Sequence, residues 1–383
     1  MALALYIHWP FCARKCPYCD FNSHVRAEVD QAAWCDALLA DMAHEASLRG
    51  GEELGSIFFG GGTPSLMPPG TVSALIDAAA ERWRLADDIE ITLEANPSSV
   101  EAANFAALAQ AGVNRVSLGL QALDDEALRF LGRLHDVREG VDALEVAQCH
   151  FARVSFDLIY ARPSQDAAAW QAELARALDF GTGHLSLYQL TIEPGTRFAT
   201  LEREGSLAPL PDDPAAELFA LTREMTAAAG LPAYEVSNHA RPGEESRHNL
   251  TYWRYGDYLG IGPGAHGRRD GIATLRHKKP ENWLDAVAPQ GHGLASEAAL
   301  NASDQAVEAL LMGLRLAEGV DLAALGGRFG LHPNELVDLS KVALHQRLGL
   351  VEHTAGRLRV TEAGMPLLDA LLAEVVSPAL VAA

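Results

Sequence analysis

The sequence contains few cysteines and few basic residues for its length. Its 383 residues include five cysteines, and 30 Lys and Arg residues are outnumbered by 51 Asp and Glu, which gives a formal net charge of -21 at pH 7. Nucleic-acid binding draws most of its affinity from Lys and Arg side chains that neutralise phosphates. The charge balance therefore argues against DNA or RNA as a partner.

Long apolar runs are also absent from the sequence. No stretch approaches the roughly 18 uninterrupted apolar residues of a membrane span. The opening segment MALALYIHWPFC has no basic start, and His8 and Pro10 interrupt its apolar run, which is not typical of a secretory signal. We therefore expect a cytoplasmic protein, in which clustered thiols bind metals or react more often than they form disulfides.

The pattern of apolar residues predicts an α/β fold. Short runs of β type alternate with longer Ala-, Leu- and Glu-rich stretches of helical period, which indicates βα units and a parallel sheet. Six such units favour a partial (β/α) barrel over a doubly wound sheet, and barrel chemistry follows the carboxyl ends of the strands. The predicted strands cover residues 3–9, 56–59, 89–93, 115–120, 153–159 and 184–191.

A smaller C-terminal domain is predicted after the barrel. The segment APQGHGLAS, residues 288–296, resembles a linker, which places a barrel domain at 1–287 and a second domain at 297–383. Helical patterns followed by GLVEHTAGRLRVTEAG predict a hairpin after helices, as in a winged-helix-like module. From residue 301 onward, six Lys and Arg stand against ten Asp and Glu. This balance favours a structural or partner-binding role for the module.

Three of the five cysteines lie in one short window near the N-terminus. Cys12, Cys16 and Cys19 form a C-x3-C-x2-C pattern, and clustered thiolates are the usual ligands of iron-sulfur clusters. Three thiolates on a four-iron cube leave one iron open to a small molecule. Zinc needs a fourth ligand, for which His8, His24 and Cys35 are near in sequence, so a zinc site remains an alternative. We expect Cys35 and Cys149 to be buried small apolar side chains.

The cysteine window and the segments after the next two strands resemble the radical S-adenosylmethionine (SAM) superfamily. Tyr18 directly precedes the last cysteine, FFGGGTPS resembles the family's Gly-rich segment, and Glu94 in EANP resembles its acidic residue directed at SAM. The resemblance implies a 4Fe-4S cluster on the three cysteines, whose open iron binds the amino and carboxylate groups of SAM.

Further segments narrow the resemblance to one branch of the superfamily, that of the anaerobic coproporphyrinogen III oxidase (HemN) and its paralogue, a heme chaperone. They include YIHWPFC, KCPYCDFNS, NRVSLGLQA, LGRLH, DLIYARP, YQLTIEPGT and, in a C-terminal domain of the HemN type, MGLRLAEGVDL. By position, the resemblance implies that the SAM-contacting residues are Tyr6, Tyr18, Gly61, Gly62, Thr63, Glu94, Gln121, Arg133 and Asp157.

Two departures from the oxidase favour the chaperone. The oxidase has a further cysteine two positions past the triad, where this sequence has Phe21. The oxidase also has an extension ahead of its first strand, whereas this sequence enters the strand at once. Both departures weigh against decarboxylase activity.

The segment RHNLTYWRYGDY contains an H-N-x-x-Y-W pattern that resembles the chaperone's heme-binding signature. The resemblance implies heme-binding roles for His248, Asn249, Tyr252 and Trp253. A neutral imidazole is a good axial ligand for heme iron, and the aromatic rings supply flat apolar area for a porphyrin face. The alternative interpretation is a polar histidine in a loop with aromatic core residues.

The resemblance thus implies a heme chaperone that binds heme, transfers it to an unidentified acceptor protein, and carries a 4Fe-4S cluster and an exchangeable SAM. The alternative is an oxygen-independent coproporphyrinogen III oxidase, a radical SAM decarboxylase. A weaker possibility is a zinc-stabilised binding barrel without redox chemistry. No catalytic residue is assigned from the sequence.

Overall fold

The computed structural model describes residues 2–381. This part of the chain contains one sheet of eleven strands and one of three. The strands of the large sheet are β1 (Leu3–Trp9), β2 (Glu53–Gly61), β3 (Arg84–Ala95), β4 (Arg115–Gln121), β5 (Arg153–Tyr160), β6 (His184–Gln189), β7 (Asn238–Ala240), β8 (Tyr258–Ile261), β9 (His266–Arg269), β10 (Ile272–Arg276) and β11 (Leu294–Ala299). Those of the small sheet are β12 (Val320–Asp321), β13 (Val351–Thr354) and β14 (Arg357–Val360).

Helices connect these strands, and several begin at an aspartate. Asp30, Asp136 and Asp166 each accept a hydrogen bond from the backbone N–H three residues later, which satisfies a free donor of the first turn. The helices are α1 (Gln31–Arg49), α2 (Pro69–Arg82), α3 (Ser99–Ala102), α4 (Phe105–Gln110), α5 (Asp125–Phe130), α6 (Val137–His150), α7 (Ala167–Asp179), α8 (Arg197–Arg203), α9 (Asp212–Ala228), α10 (Arg247–Trp253), α11 (Pro280–Gln290), α12 (Ala302–Gly313), α13 (Leu322–Phe329), α14 (Pro333–Leu336), α15 (Leu339–Arg347), α16 (Leu368–Val375) and α17 (Pro378–Val381). Single 3₁₀ turns cover Pro64–Leu66 and Met365–Leu367.

The order of the strands gives an open, mostly parallel sheet. Strands β1 to β6 are parallel neighbours in sequence order, and β8 pairs in parallel with the free side of β1. Strand β7 forms an antiparallel edge on β6, while β9, β10 and β11 extend the opposite edge as an antiparallel ribbon. The predicted α/β class and partial (β/α) barrel are therefore confirmed, and the carboxyl ends of the parallel strands share one edge.

Tryptophan rings pack the first strand against two helices. Trp34 of α1 stacks on Trp283 of α11 with ring centroids 5.2 Å apart, and Trp9 at the end of β1 meets Trp34 edge-on at 6.0 Å. All three side chains are buried. The contacts fix the end of β1, from which the cysteine window departs.

Buried ion pairs attach the antiparallel ribbon to the barrel. Arg276 of β10 is fully buried and donates to Asp41 at 2.7 Å and to Glu45 at 2.8 Å, both on α1. Arg269 of β9 also donates to Glu45, at 3.1 Å. Buried charges are tolerated where each has a partner with good geometry. The pairs therefore hold β9 and β10 against α1.

The predicted strands correspond to β1 through β6, but the sequence did not predict the ribbon. Its strands are short and partly polar, so their apolar pattern is weak. The segment predicted as a linker is not one in the structure, because α11 continues to Gln290 and β11 pairs with β10 from Leu294 onward. The large sheet thus continues to Ala299, and the boundary at residues 287 and 297 stays a prediction.

The C-terminal part of the chain has its own apolar core, formed by helices from α12 onward and the small sheet. The predicted hairpin is present as β13 and β14. Tyr255 donates to Glu308 of α12 at 2.6 Å, and Arg223 of α9 pairs with Glu362, which fastens this part to the barrel. Within residues 2–381, no helix combines the length and the hydropathy needed to cross a membrane.

Candidate functional site

The cysteine window forms a closed loop at the carboxyl end of β1. Phe11 and His24 form a bridge between the two ends of the loop. The Cys12 N–H donates to the His24 carbonyl at 3.0 Å, and the His24 N–H donates to the Pro10 carbonyl at 2.7 Å. The three predicted cluster cysteines therefore project from one loop whose ends are fixed.

Each thiol of the triad has a hydrogen-bond partner. Thr63 Oγ1 donates to Cys12 Sγ at 3.4 Å, Arg133 Nη1 donates to Cys16 Sγ at 3.5 Å, and Cys19 Sγ lies 3.9 Å from Ser23 Oγ. Donors of this kind stabilise thiolates and tune iron-sulfur clusters. Burial raises the pKa of the Cys12 and Cys19 thiols, so metal binding has to displace their protons. The donor set fits an iron-sulfur cluster held by three cysteines.

The other cysteines lie outside this loop. Cys35 is half-buried on α1 and Cys149 is exposed on α6, so the expectation that both are buried was wrong. Among the described residues, no three His, Cys, Asp or Glu side chains converge closely enough to hold a single metal ion. A cluster does not require that convergence, because each thiol binds a different iron.

Asn96 connects the donors of two of the cysteines. Its Nδ2 donates to Thr63 Oγ1 at 3.1 Å, and its Oδ1 accepts from Arg133 Nη2 at 2.6 Å. Its backbone N–H donates to the buried Glu101 at 2.8 Å, which holds the loop after β3. Asn96 stands in the EANP segment, and the sequence predicted no role for it. No local pattern identifies it, because its partners lie far away in the chain.

The Gly-rich segment after β2 packs against β1. Gly61 has a φ of +114°, and a Cβ at this position would lie 2.6 Å from His8 Cε1. A Cβ at Gly62 would lie 2.7 Å from the Phe11 carbonyl oxygen. Glycine is therefore required by backbone conformation and by packing against β1. Gly61 also lines the cavity described below.

Two carboxyl groups lie on β3 and β5. Burial, with the nearby charge of Asp157 as the second cause, raises the pKa of Glu94 to about 8, and Glu94 Oε2 accepts from the Gly61 N–H at 3.2 Å. Burial also raises the pKa of Asp157 to about 6, although hydrogen bonds from Ser186 and Ser117 act to lower it. A cation that binds beside Glu94 would restore its ionised form.

The remaining predicted SAM residues surround the same strand ends. His8 Nε2 donates to the Asn22 carbonyl, so it carries the ring proton. His8 Nδ1 is therefore an acceptor, and Tyr6 Oη donates to it at 3.0 Å. Gln121 ends β4 with a φ of +71°, a conformation that non-glycine residues adopt at a cost of order 1 kcal/mol or more. The Tyr18 ring lies near Phe198, at 6.4 Å between centroids. Arg133 Nε is buried without a hydrogen-bond partner in residues 2–381, which leaves it free to bind a ligand.

A cavity of about 620 Å³ opens beside the cysteine loop. Tyr6, Gly61 and Glu94 line it from β1, β2 and β3, and Tyr252 and Tyr258 line it from the segment around α10 and β8. Its size lies within the range of small-molecule sites. The exposed lining residues, which mark its mouth, include Lys15, Phe21, His266 and Lys278.

All four residues of the H-N-x-x-Y-W pattern lie on α10, and Glu90 of β3 holds the start of this helix in place. The Glu90 carboxylate accepts from the N–H groups of Arg247 and His248, both at 3.2 Å. His248 is 2% exposed, and its Nδ1 and Nε2 lie 3.1 Å from Ser56 Oγ and 2.6 Å from Tyr252 Oη. His248 is therefore enclosed behind Tyr252.

The other two residues of the pattern are outside the cavity lining. The Asn249 N–H donates to Ser246, the N-cap residue of α10, at 3.3 Å. The Trp253 ring lies 5.2 Å from the guanidinium of Arg315, in the C-terminal part of the chain. Of the four predicted heme-binding residues, the structure therefore brings Tyr252 alone to the cavity lining among the residues described.

The sequence and the fold are both similar to those of known proteins. Residues 6–171 match the Radical SAM superfamily, and residues 300–367 match the HemN C-terminal domain. The chain is 40% identical to the mitochondrial "Radical S-adenosyl methionine domain-containing protein 1" of Bos taurus, over 98% of this chain and 87% of that protein. It is 38% identical to the "Heme chaperone HemW" of Escherichia coli (strain K12), over 97% of both chains. The solved structure of Escherichia coli HemN superposes with a TM-score of 0.82 at 24% identity, covering 97% of this chain and 89% of that chain.

Proposed function

The chain belongs to the HemW family of the radical SAM superfamily, and from this premise we propose that it is a heme chaperone. It binds heme and transfers it to an acceptor protein that is not yet identified. We place this activity in the cytoplasm, where the cysteine triad stays reduced.

The observation that carries this proposal is the composition of the cavity. Heme is a flat apolar ring with two carboxylates, so it needs aromatic walls and cations at the rim. Tyr252 and Tyr258 supply aromatic wall, and Phe21, at the position of the oxidase's further cysteine, extends the apolar area to the mouth. The sequence has four lysines, and two of them, Lys15 and Lys278, lie at this mouth, against one exposed carboxylate, Asp20, although the net charge of the chain is -21.

Membership of the superfamily implies a 4Fe-4S cluster and SAM. We propose that Cys12, Cys16 and Cys19 hold the cluster, and when bound the cluster and SAM supply one-electron chemistry. With the cluster bound, Thr63 would still donate a hydrogen bond to the thiolate of Cys12, and Arg133 to that of Cys16. We propose that the residues that bind SAM are Tyr6, Tyr18, Gly61, Gly62, Thr63, Glu94, Gln121, Arg133 and Asp157.

A heme titration tests the proposal against the oxidase alternative. The full chain is reconstituted with iron and sulfide without oxygen, and ferric heme is added while the absorbance spectrum is followed. In parallel, the same preparation receives coproporphyrinogen III and SAM, and vinyl products and 5'-deoxyadenosine are measured. A stable heme complex without vinyl products is expected. Vinyl products without a stable heme complex would overturn the chaperone in favour of the oxidase.

Charge reversal at the mouth tests whether the heme occupies this cavity. Lys15→Glu combined with Lys278→Glu should weaken heme binding, because the propionates would meet anions instead of cations. Lys341→Glu is the control, because this half-buried lysine of α15 lies outside the cavity lining, and it should leave heme affinity unchanged. Thermal unfolding of each variant accounts for the ion pair with Glu374 that this control removes. Equal effects of both changes would place the heme elsewhere.

A further inference from the structure

We infer that Tyr252 supplies the axial ligand to the iron of bound heme and that His248 serves it as the proton acceptor. The inference rests on the proposed function, because it concerns how the same cavity holds heme. It reverses the roles that the sequence pattern implies, in which the imidazole of His248 binds the iron.

Access to the cavity separates the two side chains. Tyr252 lines the cavity, whereas His248 is 2% exposed and lies behind the phenol. Its two ring nitrogens are 2.6 Å from Tyr252 Oη and 3.1 Å from Ser56 Oγ. For His248 to reach an iron atom in the cavity, Tyr252 would have to move away and its hydrogen bond would have to break. Tyr252 already belongs to the cavity wall, so ligation through Tyr252 does not require the two side chains to exchange positions.

Packing also fixes the orientation of His248. The imidazole stacks on Phe58 of β2 at 4.8 Å between centroids and lies 6.1 Å from the Tyr6 ring on β1. Tyr252 meets it edge-on at 4.7 Å, and the Tyr258 ring lies edge-on to Tyr252 at 4.3 Å. His248 is therefore a positioning residue held to point at the Tyr252 oxygen.

The hydrogen bonds fit a phenol that donates. If Tyr252 Oη–H donates to His248 Nε2, then His248 Nδ1–H donates to Ser56 Oγ, and each polar atom of the pair has a partner.

Ferric iron changes this balance. When the iron of ferric heme reaches Tyr252, an Fe–O bond forms, the phenol O–H bond breaks, and the proton moves to His248 Nε2 without transfer of electrons. The charge of the metal favours the phenolate, as metal ions do for bound water and thiols. The resulting imidazolium stays hydrogen-bonded to the phenolate, and tyrosinate is an established type of heme ligand.

Resonance Raman spectroscopy of the ferric heme complex tests the inference, because phenolate ring modes appear there when a tyrosinate binds the iron. The cluster-loaded full chain is titrated with ferric protoporphyrin IX as wild type and as three variants. Tyr252→Phe should abolish the phenolate modes. His248→Gln should retain them and weaken heme affinity roughly 10-fold, the usual cost of losing a partner of a metal ligand.

Tyr258→Phe is the matched control, because Tyr258 lines the same cavity without a histidine partner, and it should retain the phenolate modes. Iron content and circular dichroism show that each variant is folded. Phenolate modes that survive in Tyr252→Phe, or loss of all ligation in His248→Gln with histidine-type spectra in the wild type, would overturn the inference while leaving heme binding intact. Wild-type protein that binds no heme at all would overturn the proposed function instead.

Discussion

Arg133 Nη2 donates to the side-chain oxygen of Asn96 at 2.6 Å, and the same guanidinium donates to Cys16. The amide nitrogen of Asn96 in turn donates to Thr63, which donates to Cys12. One amide thus orients the donors of two cysteines that lie on the loop after β1. The arrangement connects the ends of β1, β2, β3 and the segment after β4.

Removal of the Asn96 amide should loosen the cluster. Asn96→Ala leaves Thr63 and Arg133 without a common partner, so we expect roughly 10-fold weaker cluster retention and a more negative reduction potential, because fewer donors then stabilise the reduced state. Chelator-challenge kinetics and potentiometric titration measure both effects. Asn104→Ala, which alters an asparagine without a side-chain capping bond, is the control. An unchanged potential in Asn96→Ala would show that the amide does not tune the cluster.

The cysteine triad should be indispensable for the cluster. Cys12→Ala, Cys16→Ala and Cys19→Ala each remove one of three anchors, so each variant should lose the cluster, as iron and sulfide analysis without oxygen would show. Cys35→Ala and Cys149→Ala should retain it, since these cysteines lie on α1 and α6. Full iron and sulfide content in Cys16→Ala would refute the assignment.

Glu94 should make SAM binding dependent on pH. Its pKa is raised to about 8, so the carboxyl is mostly neutral at pH 7 and ionised at pH 8.5. The sulfonium of SAM prefers the ionised form, and its affinity should therefore rise by up to about eightfold between pH 7 and pH 8.5. Equilibrium dialysis of wild type and Glu94→Gln measures this. A slope that persists unchanged in Glu94→Gln would assign the dependence to another group.

The same shift has a consequence for stability. A carboxyl whose folded pKa lies above its unfolded value contributes stability below the unfolded pKa, and this contribution is lost as the pH rises toward the folded pKa. Glu94→Gln should therefore raise the melting temperature at pH 8 and have little effect near pH 4.5.

Trp253 should matter for stability rather than for heme. Its ring packs under Arg315 and lies outside the cavity lining. Trp253→Ala should lower the free energy of unfolding by about 2 kcal/mol through lost packing and cation–π contact, with heme affinity retained, as urea denaturation and heme titration would show. Trp253→Phe should restore part of the stability. A loss of heme affinity at unchanged stability would return Trp253 to the heme site.

SAM and heme should weaken each other's binding. The cavity of about 620 Å³ is lined both by Tyr6, Gly61 and Glu94 and by Tyr252, and this volume suits one ligand of their size rather than two. Saturating SAM should therefore lower heme affinity roughly fivefold or more, and heme should lower SAM affinity by the same factor. Calorimetry in both orders of addition measures the coupling. Independent binding would show that the ligands occupy separate spaces.

Local sequence determined the barrel and the cysteine loop. Strands β1 to β6 are covered by helices, so each appears in the sequence as an apolar run. Such a run can be identified as a strand without knowing which strand it pairs with. Cys12, Cys16 and Cys19 share one loop, and Gly61 needs a positive φ at the end of its own strand. These features depend on neighbours within a few residues, and sequence patterns predict them well.

Tertiary packing decided the rest. The position of the ribbon β9–β11 depends on ion pairs that Arg269 and Arg276 form with α1. The acidic partners, Asp41 and Glu45, lie more than 200 positions earlier in the chain. Asn96 acquires its role because Thr63 and Arg133 come from other strand ends. Neither partner is within 30 residues of it.

The difference between what the sequence determines and what packing determines is clearest in α10. His248 and Tyr252 are four positions apart, so the sequence alone places them on one face of a helix. Which of them reaches the cavity depends on the direction in which Glu90 and Ser56 hold that helix against β3 and β2. Spacing along a chain fixes which side chains are neighbours, but only the packing of one element on another decides which neighbour lies in front.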